Sequence, residues 1–120
     1  METIQQRMRL LDWRPMRKGA LRGFAAVELP IVGLQIFEVA VLVGQNGLWA
    51  SLPNKPQLDR YGRRRMVNGE LAYTRVLGFS SQRYTDSFSR GVVALVQAAY
   101  PRDLEEAPEG RVLPAVAFGT

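Results

Sequence analysis

Apolar and polar residues alternate through much of the first half of the chain, a period of two that predicts strands rather than helices. Arg7 to Trp13 reads as a first strand, followed by a basic turn from Pro15 to Gly19. In Leu21 to Leu29, the residues Leu21, Gly23, Ala25, Val27 and Leu29 point one way, and Arg22, Phe24, Ala26 and Glu28 point the other. Pro30 and Gly33 interrupt the ladder. Gln35 to Val43 is largely apolar on both faces, the pattern of a central strand. Residues 37–56, FEVAVLVGQNGLWASLPNKP, then spell a hairpin whose Asn46-Gly47 pair supplies the positive φ of a two-residue turn. Pro53 and Pro56 have no backbone N–H, so the second strand is expected to stop there and release a basic loop.

Beyond residue 56 the pattern weakens. Arg64-Arg65-Met66-Val67 and Glu70-Leu71-Ala72-Tyr73 flank a second Asn-Gly pair at 68–69, which predicts another short hairpin. A helix is expected to begin at Thr85, Asp86 or Ser87, all good N-caps, and to run to Tyr100, where Pro101 stops it. Phe88, Val92, Leu95, Val96 and Ala99 recur at helical spacing and form its core-facing stripe. Residues 102–120, with Pro108, Gly110 and Pro114 and no sustained period, read as a flexible tail whose Val112–Val116 portion is suited to lie against a partner subunit. The chain therefore divides into one domain over 1–101 and a tail over 102–120. Its expected fold class is α+β, a small antiparallel sheet of four to six strands with a C-terminal helix.

Composition limits what such a domain can do. At 120 residues it is long enough for one modest core, which dimerisation would reinforce. There is no run of 18 or more apolar residues and no secretory leader pattern at the start, so the expectation is a cytoplasmic protein without a membrane partner. Cysteine is absent, which removes disulfides, thiolate catalysis and Cys-based zinc sites. Histidine is absent too, and with it the commonest general base and transition-metal ligand.

The acids that remain for catalysis, Glu28, Glu38, Asp59, Glu70 and Asp86, are scattered without a recognisable spacing. Glu28 and Glu38 could share a sheet face and hold a metal, but pairing with Arg22 or another cation accounts for them more simply. Gly44-Gln45-Asn46-Gly47 lacks the Lys-Ser/Thr and the helix of a phosphate cradle, and a hairpin turn explains its glycines. No enzyme, cofactor, metal or small-molecule substrate is expected.

Charge points elsewhere. The net charge is +5 and the pI about 10.2, values that favour an anionic partner. Residues 1–101 hold 14 Arg or Lys against 7 acids, whereas the remainder holds 2 against 4. Of the 16 basic residues 14 are Arg, whose planar fork grips phosphate bidentately and stacks on bases. Basic and aromatic residues gather in three places. The first is Trp13, Arg14, Arg17, Lys18 and Arg22, and the second is Lys55, Arg60, Tyr61, Arg63, Arg64 and Arg65. The third, Arg83, Tyr84 and Arg90, sits at the helix entrance, where the dipole adds attraction for phosphate. The eleven cations of these clusters are the candidate nucleic-acid-binding residues. Each cluster has a plainer explanation: Trp13 as core, Arg90 as a bridge to a neighbouring acid, the arginine run as a solvated loop. Trp49 is expected to pack against a second sheet or subunit.

Several segments resemble one family. Gln45 to Lys55, QNGLWASLPNK, is similar to the NNGLFVAMPSK segment of the stage V sporulation protein G (SpoVG) family, small bacterial septation and sporulation proteins implicated in DNA and RNA binding. Arg9-Leu10-Leu11 before a turn, Arg22 to Leu29 at the second strand and Ser89-Arg90-Gly91 against the family's TRG follow in the same order, from Ile4 to Pro101. Residues 57–78 form a longer loop than the family's and align poorly. The resemblance implies a homodimer that regulates transcription or messenger RNA by binding nucleic acid, with no catalytic step. The alternatives are a protein-interaction module whose arginines meet an acidic protein, and an enzyme with a deep pocket of perturbed carboxylates.

Overall fold

The computed structural model describes residues 8–105, and in it the alternating first half folds as an antiparallel meander. Strands β1 (Arg9–Lys18), β2 (Leu21–Leu29), β3 (Leu34–Gly44) and β4 (Gly47–Ser51) pair in the order β1-β2-β3-β4. Helix α1 (Gln82–Ala99) covers one face of this sheet, and a 3-10 helix (Pro101–Leu104) follows it. The fold is α+β, as the alternation and the single helical stripe predict.

Between sheet and helix lies the core. Trp13, Ala25, Val27, Leu29, Ile36, Val39, Val41 and Ala50 come from the strands, and Phe88, Val92 and Val96 from α1. Phe88, Val27, Val39, Val41, Val92 and Val96 are fully buried. Truncating Phe88 to Ala would cost about 3–5 kcal/mol by the usual cavity penalty. Gly23 lets Trp13 close over β2: a Cβ there would lie 2.5 Å from the indole Cη2 and 2.6 Å from the Arg14 carbonyl oxygen.

The inward set on β2 matches the sequence reading, but alternation in β3 is broken once. Val27 pairs with Ile36 and Ala25 with Val39, so Phe37 and Glu38 together oppose Ala26 in a β-bulge. Glu38 has φ 59°, and the bulge returns Val39 to the core while Phe37 remains 57% exposed on the opposite face.

Several boundaries differ from the sequence expectation, each for a local reason. Pro15 lies inside β1 rather than in a turn, which is tolerated because β1 is an edge strand. The β3–β4 hairpin is closed by the pair Gly44 and Gly47, so its loop is Gln45-Asn46, one residue earlier than expected, and only Gly47 takes positive φ, at 105°. Asn68-Gly69, with φ of 52° and 81°, is instead the pair that meets the two-residue turn requirement, joining β6 (Met66–Val67) to β7 (Glu70–Leu71). Helix α1 starts a turn before the expected caps, because Ser81 is the N-cap and its hydroxyl accepts the Tyr84 N–H at 3.3 Å. Ala99 is exposed, and Leu104, beyond the helix C-cap at Tyr100, is buried in the core instead. Residues 102–105, read from sequence as part of a free tail, are held against β1, while 106–120 lie outside the described residues.

The region after β4 is an ordered arm rather than a released loop. β5 (Asn54–Pro56) pairs with β8 (Tyr73–Arg75), since Pro53 and Pro56 flank residues that keep their N–H groups. Gln57 N–H then bonds the Ala72 carbonyl at 2.9 Å, and Gln57 O accepts from Arg65 N at 2.9 Å, so the arm continues outward to the 68–69 turn and to a second tip over 59–63.

Candidate nucleic-acid interface

The three basic clusters have different fates in the fold. The first is taken apart by internal bonding. On the sheet face away from α1, the Arg14 guanidinium donates to both Glu38 carboxylate oxygens, at 3.1 and 3.2 Å, and lies 5.1 Å from the Phe24 ring centre. Arg17 donates to the carbonyls of Asp103 and Glu105, and Arg22 to those of Gly19 and Leu21 at 2.8 and 3.0 Å. Trp13 is core, and its indole N–H bonds Asp103. Lys18 alone of this group is exposed without a hydrogen bond or ion pair among the described residues.

The second cluster is brought together. Asp59 Oδ1 accepts the backbone N–H groups of Tyr61 at 2.8 Å and Arg63 at 3.0 Å, Asp59 N–H bonds the Arg63 carbonyl at 2.8 Å, and Gly62 takes φ 79°. This Asx-type loop is what Asp and Gly at those positions favour. Arg60 and Arg63 belong to this loop and Arg64 and Arg65 follow it, all exposed. Arg63 is tied to Asp59 by an ion pair of 3.4 Å, and the Arg60 and Arg63 guanidinium carbons lie 6.0 and 5.2 Å from the Tyr61 ring centre. Tyr61 itself is 72% exposed. Lys55, across β5–β8 from Thr74, projects from the base of the same arm.

Of the third cluster, Arg83 and Arg90 are exposed on α1, and Tyr84 is half-exposed, its N–H committed to the Ser81 cap. Neither arginine forms an ion pair among the described residues.

The carboxylates weighed as metal ligands are each engaged by a cation. Glu28 bonds Arg9 and, at 2.9 Å, the Gln35 amide; the amide first and then the guanidinium hold its carboxyl below the ordinary 4.5. Glu38 takes Arg14 rather than Arg22. Among the described residues no group of three or more potential metal ligands converges, and no helix is long and apolar enough to cross a membrane.

A cleft of about 630 Å³, absent from the sequence reading, lies between β4, the arm and the start of α1, with Asn54, Tyr73, Arg75, Ser80 and Gln82 among its walls. Its residues come from two stretches of the chain, 49–54 and 73–89, and no spacing rule links them. Trp49 leans over Gly44, its Nε1 only 3.1 Å from where a Cβ would stand, and remains 44% exposed on the uncovered sheet face. No protein-family model matches the chain, and neither a curated protein nor a solved structure does.

Proposed function

We propose that this chain is a non-enzymatic, cytoplasmic nucleic-acid-binding regulator of the SpoVG type, acting as a homodimer. The observation that carries the reading is the arm: a hydrogen-bonded scaffold carries Arg60, Arg63, Arg64 and Arg65, all exposed, in one short segment, with Lys55 exposed at its base. Such a group neutralises backbone phosphates and releases counterions, which gives affinity with little sequence preference. Lys18, Arg83 and Arg90 supply further exposed positive charge, whereas Arg14, Arg17 and Arg22 serve the fold. The uncovered sheet face with Phe37 and Trp49 suits a second copy of the chain, whose charges would add to the first.

The test is fluorescence anisotropy with labelled nucleic acid of mixed sequence at low and at physiological salt. Binding with a steep salt slope, shallower by about 1–2 units in Arg64→Ala/Arg65→Ala, is the expected result. Absence of binding at low salt would overturn the reading and direct the search toward an acidic protein partner.

A further inference from the structure

Tyr61 is unusual among the aromatic residues of the described chain in being 72% exposed at the tip of a hydrogen-bonded loop. Its backbone N–H is fixed by Asp59 Oδ1 at 2.8 Å, and the next residue but one is fixed by the same oxygen at 3.0 Å. The ring therefore stands on a defined platform rather than on a free loop. Two guanidinium groups lie over the ring, 5.2 and 6.0 Å from its centre, and Arg64 and Arg65 follow in the chain, both exposed. Nothing in the core uses this ring.

We infer that Tyr61 is a stacking platform for an unpaired base and that the arm binds single-stranded nucleic acid in preference to duplex. This rests on the nucleic-acid reading above and adds to it the ligand's strandedness and the residue that selects it. An exposed aromatic face framed by arginines is the arrangement that receives a base on its ring and the flanking phosphates on its cations. In a duplex the base faces are already stacked on their neighbours, so the ring has nothing to receive without unstacking a step. Arg60, the more distant of the two guanidinium groups, can leave the ring for a phosphate as the base arrives, while Arg63 stays tied to Asp59.

The experiment compares wild type, Tyr61→Ala and Tyr61→Phe against labelled single-stranded DNA, single-stranded RNA and duplex DNA of one sequence. Circular dichroism serves as the folding control, which this exposed side chain should not disturb. The expected result is tighter single-strand than duplex binding by the wild type. Tyr61→Ala should lose about tenfold on single strands at an unchanged salt slope, with little change on duplex, and Tyr61→Phe should retain the affinity. Wild type that binds nucleic acid without single-strand preference, or Tyr61→Ala that binds single strands like wild type, would overturn this inference and leave the nucleic-acid reading standing. Wild type that binds none of the three would overturn both.

Discussion

The indole N–H of Trp13 donates a 2.8 Å hydrogen bond to Asp103 Oδ2, joining the first strand to the 3-10 helix that follows α1. Arg17 on the same strand reaches the carbonyls of Asp103 and Glu105, so β1 holds the segment after α1 by two kinds of donor. Asp103→Ala would leave the largely buried indole N–H without its acceptor, and a loss of about 1–3 kcal/mol is expected in urea unfolding. Asp103→Asn keeps an acceptor and should lose less. A wild-type midpoint in the alanine variant would mean that the bond contributes nothing.

Gly23 tests the packing beneath the same indole. A methyl group there would meet Trp13 at 2.5 Å and a backbone oxygen at 2.6 Å, and neither neighbour is the loose end of a flexible chain. Gly23→Ala should destabilise by about 1–3 kcal/mol through overpacking. Near-UV circular dichroism should change with it as the indole shifts.

Asp59 separates the role of charge from that of loop order. Removing a carboxylate from among four arginines would tighten nucleic-acid binding if attraction alone set the affinity. Because Asp59 also holds the Tyr61 and Arg63 amides, Asp59→Ala is expected to weaken single-strand binding about fivefold, the equivalent of roughly 1 kcal/mol of lost order. Tighter binding in the anisotropy titration would contradict this.

Glu28 gives a signed prediction for acid. Its carboxyl lies below the ordinary 4.5, so the charged form is favoured in the folded protein. That preference stabilises the fold above the ordinary value and is lost as the pH falls through the depressed one. Gln35→Leu removes the larger cause, and the Glu28 midpoint followed by carbon NMR should rise toward 4.5. The contribution is small, because the pair is solvent-screened.

Strand faces and the existence of the helix were legible because burial imposes periods of two and 3.6 on the residues themselves. Val27 in β2 and Phe88, Val92 and Val96 in α1 are where the pattern puts them. The phase change at Glu38 was not legible, since a bulge depends on what the neighbouring strand offers. Ser81 escaped as a cap because the first turn of α1, Gln82 to Thr85, carries no apolar stripe. The site divided along the same line. Arg60 to Arg65 are neighbours in sequence, whereas the fates of Arg14 and Arg17 were decided by a carboxylate and by carbonyl groups that only folding brings near, and that of Arg22 by carbonyls of its own tight turn.

The arm leaves and rejoins the body side by side, with Asn54 paired to Arg75 at its base. Antiparallel partners stand only about 5 Å apart, so everything between these two residues is an insertion whose ends already meet. Its length and composition can change while the sheet and α1 keep their connections. The body is then a mount, and the arm a tool whose reach and charge can be altered without disturbing the packing of the core.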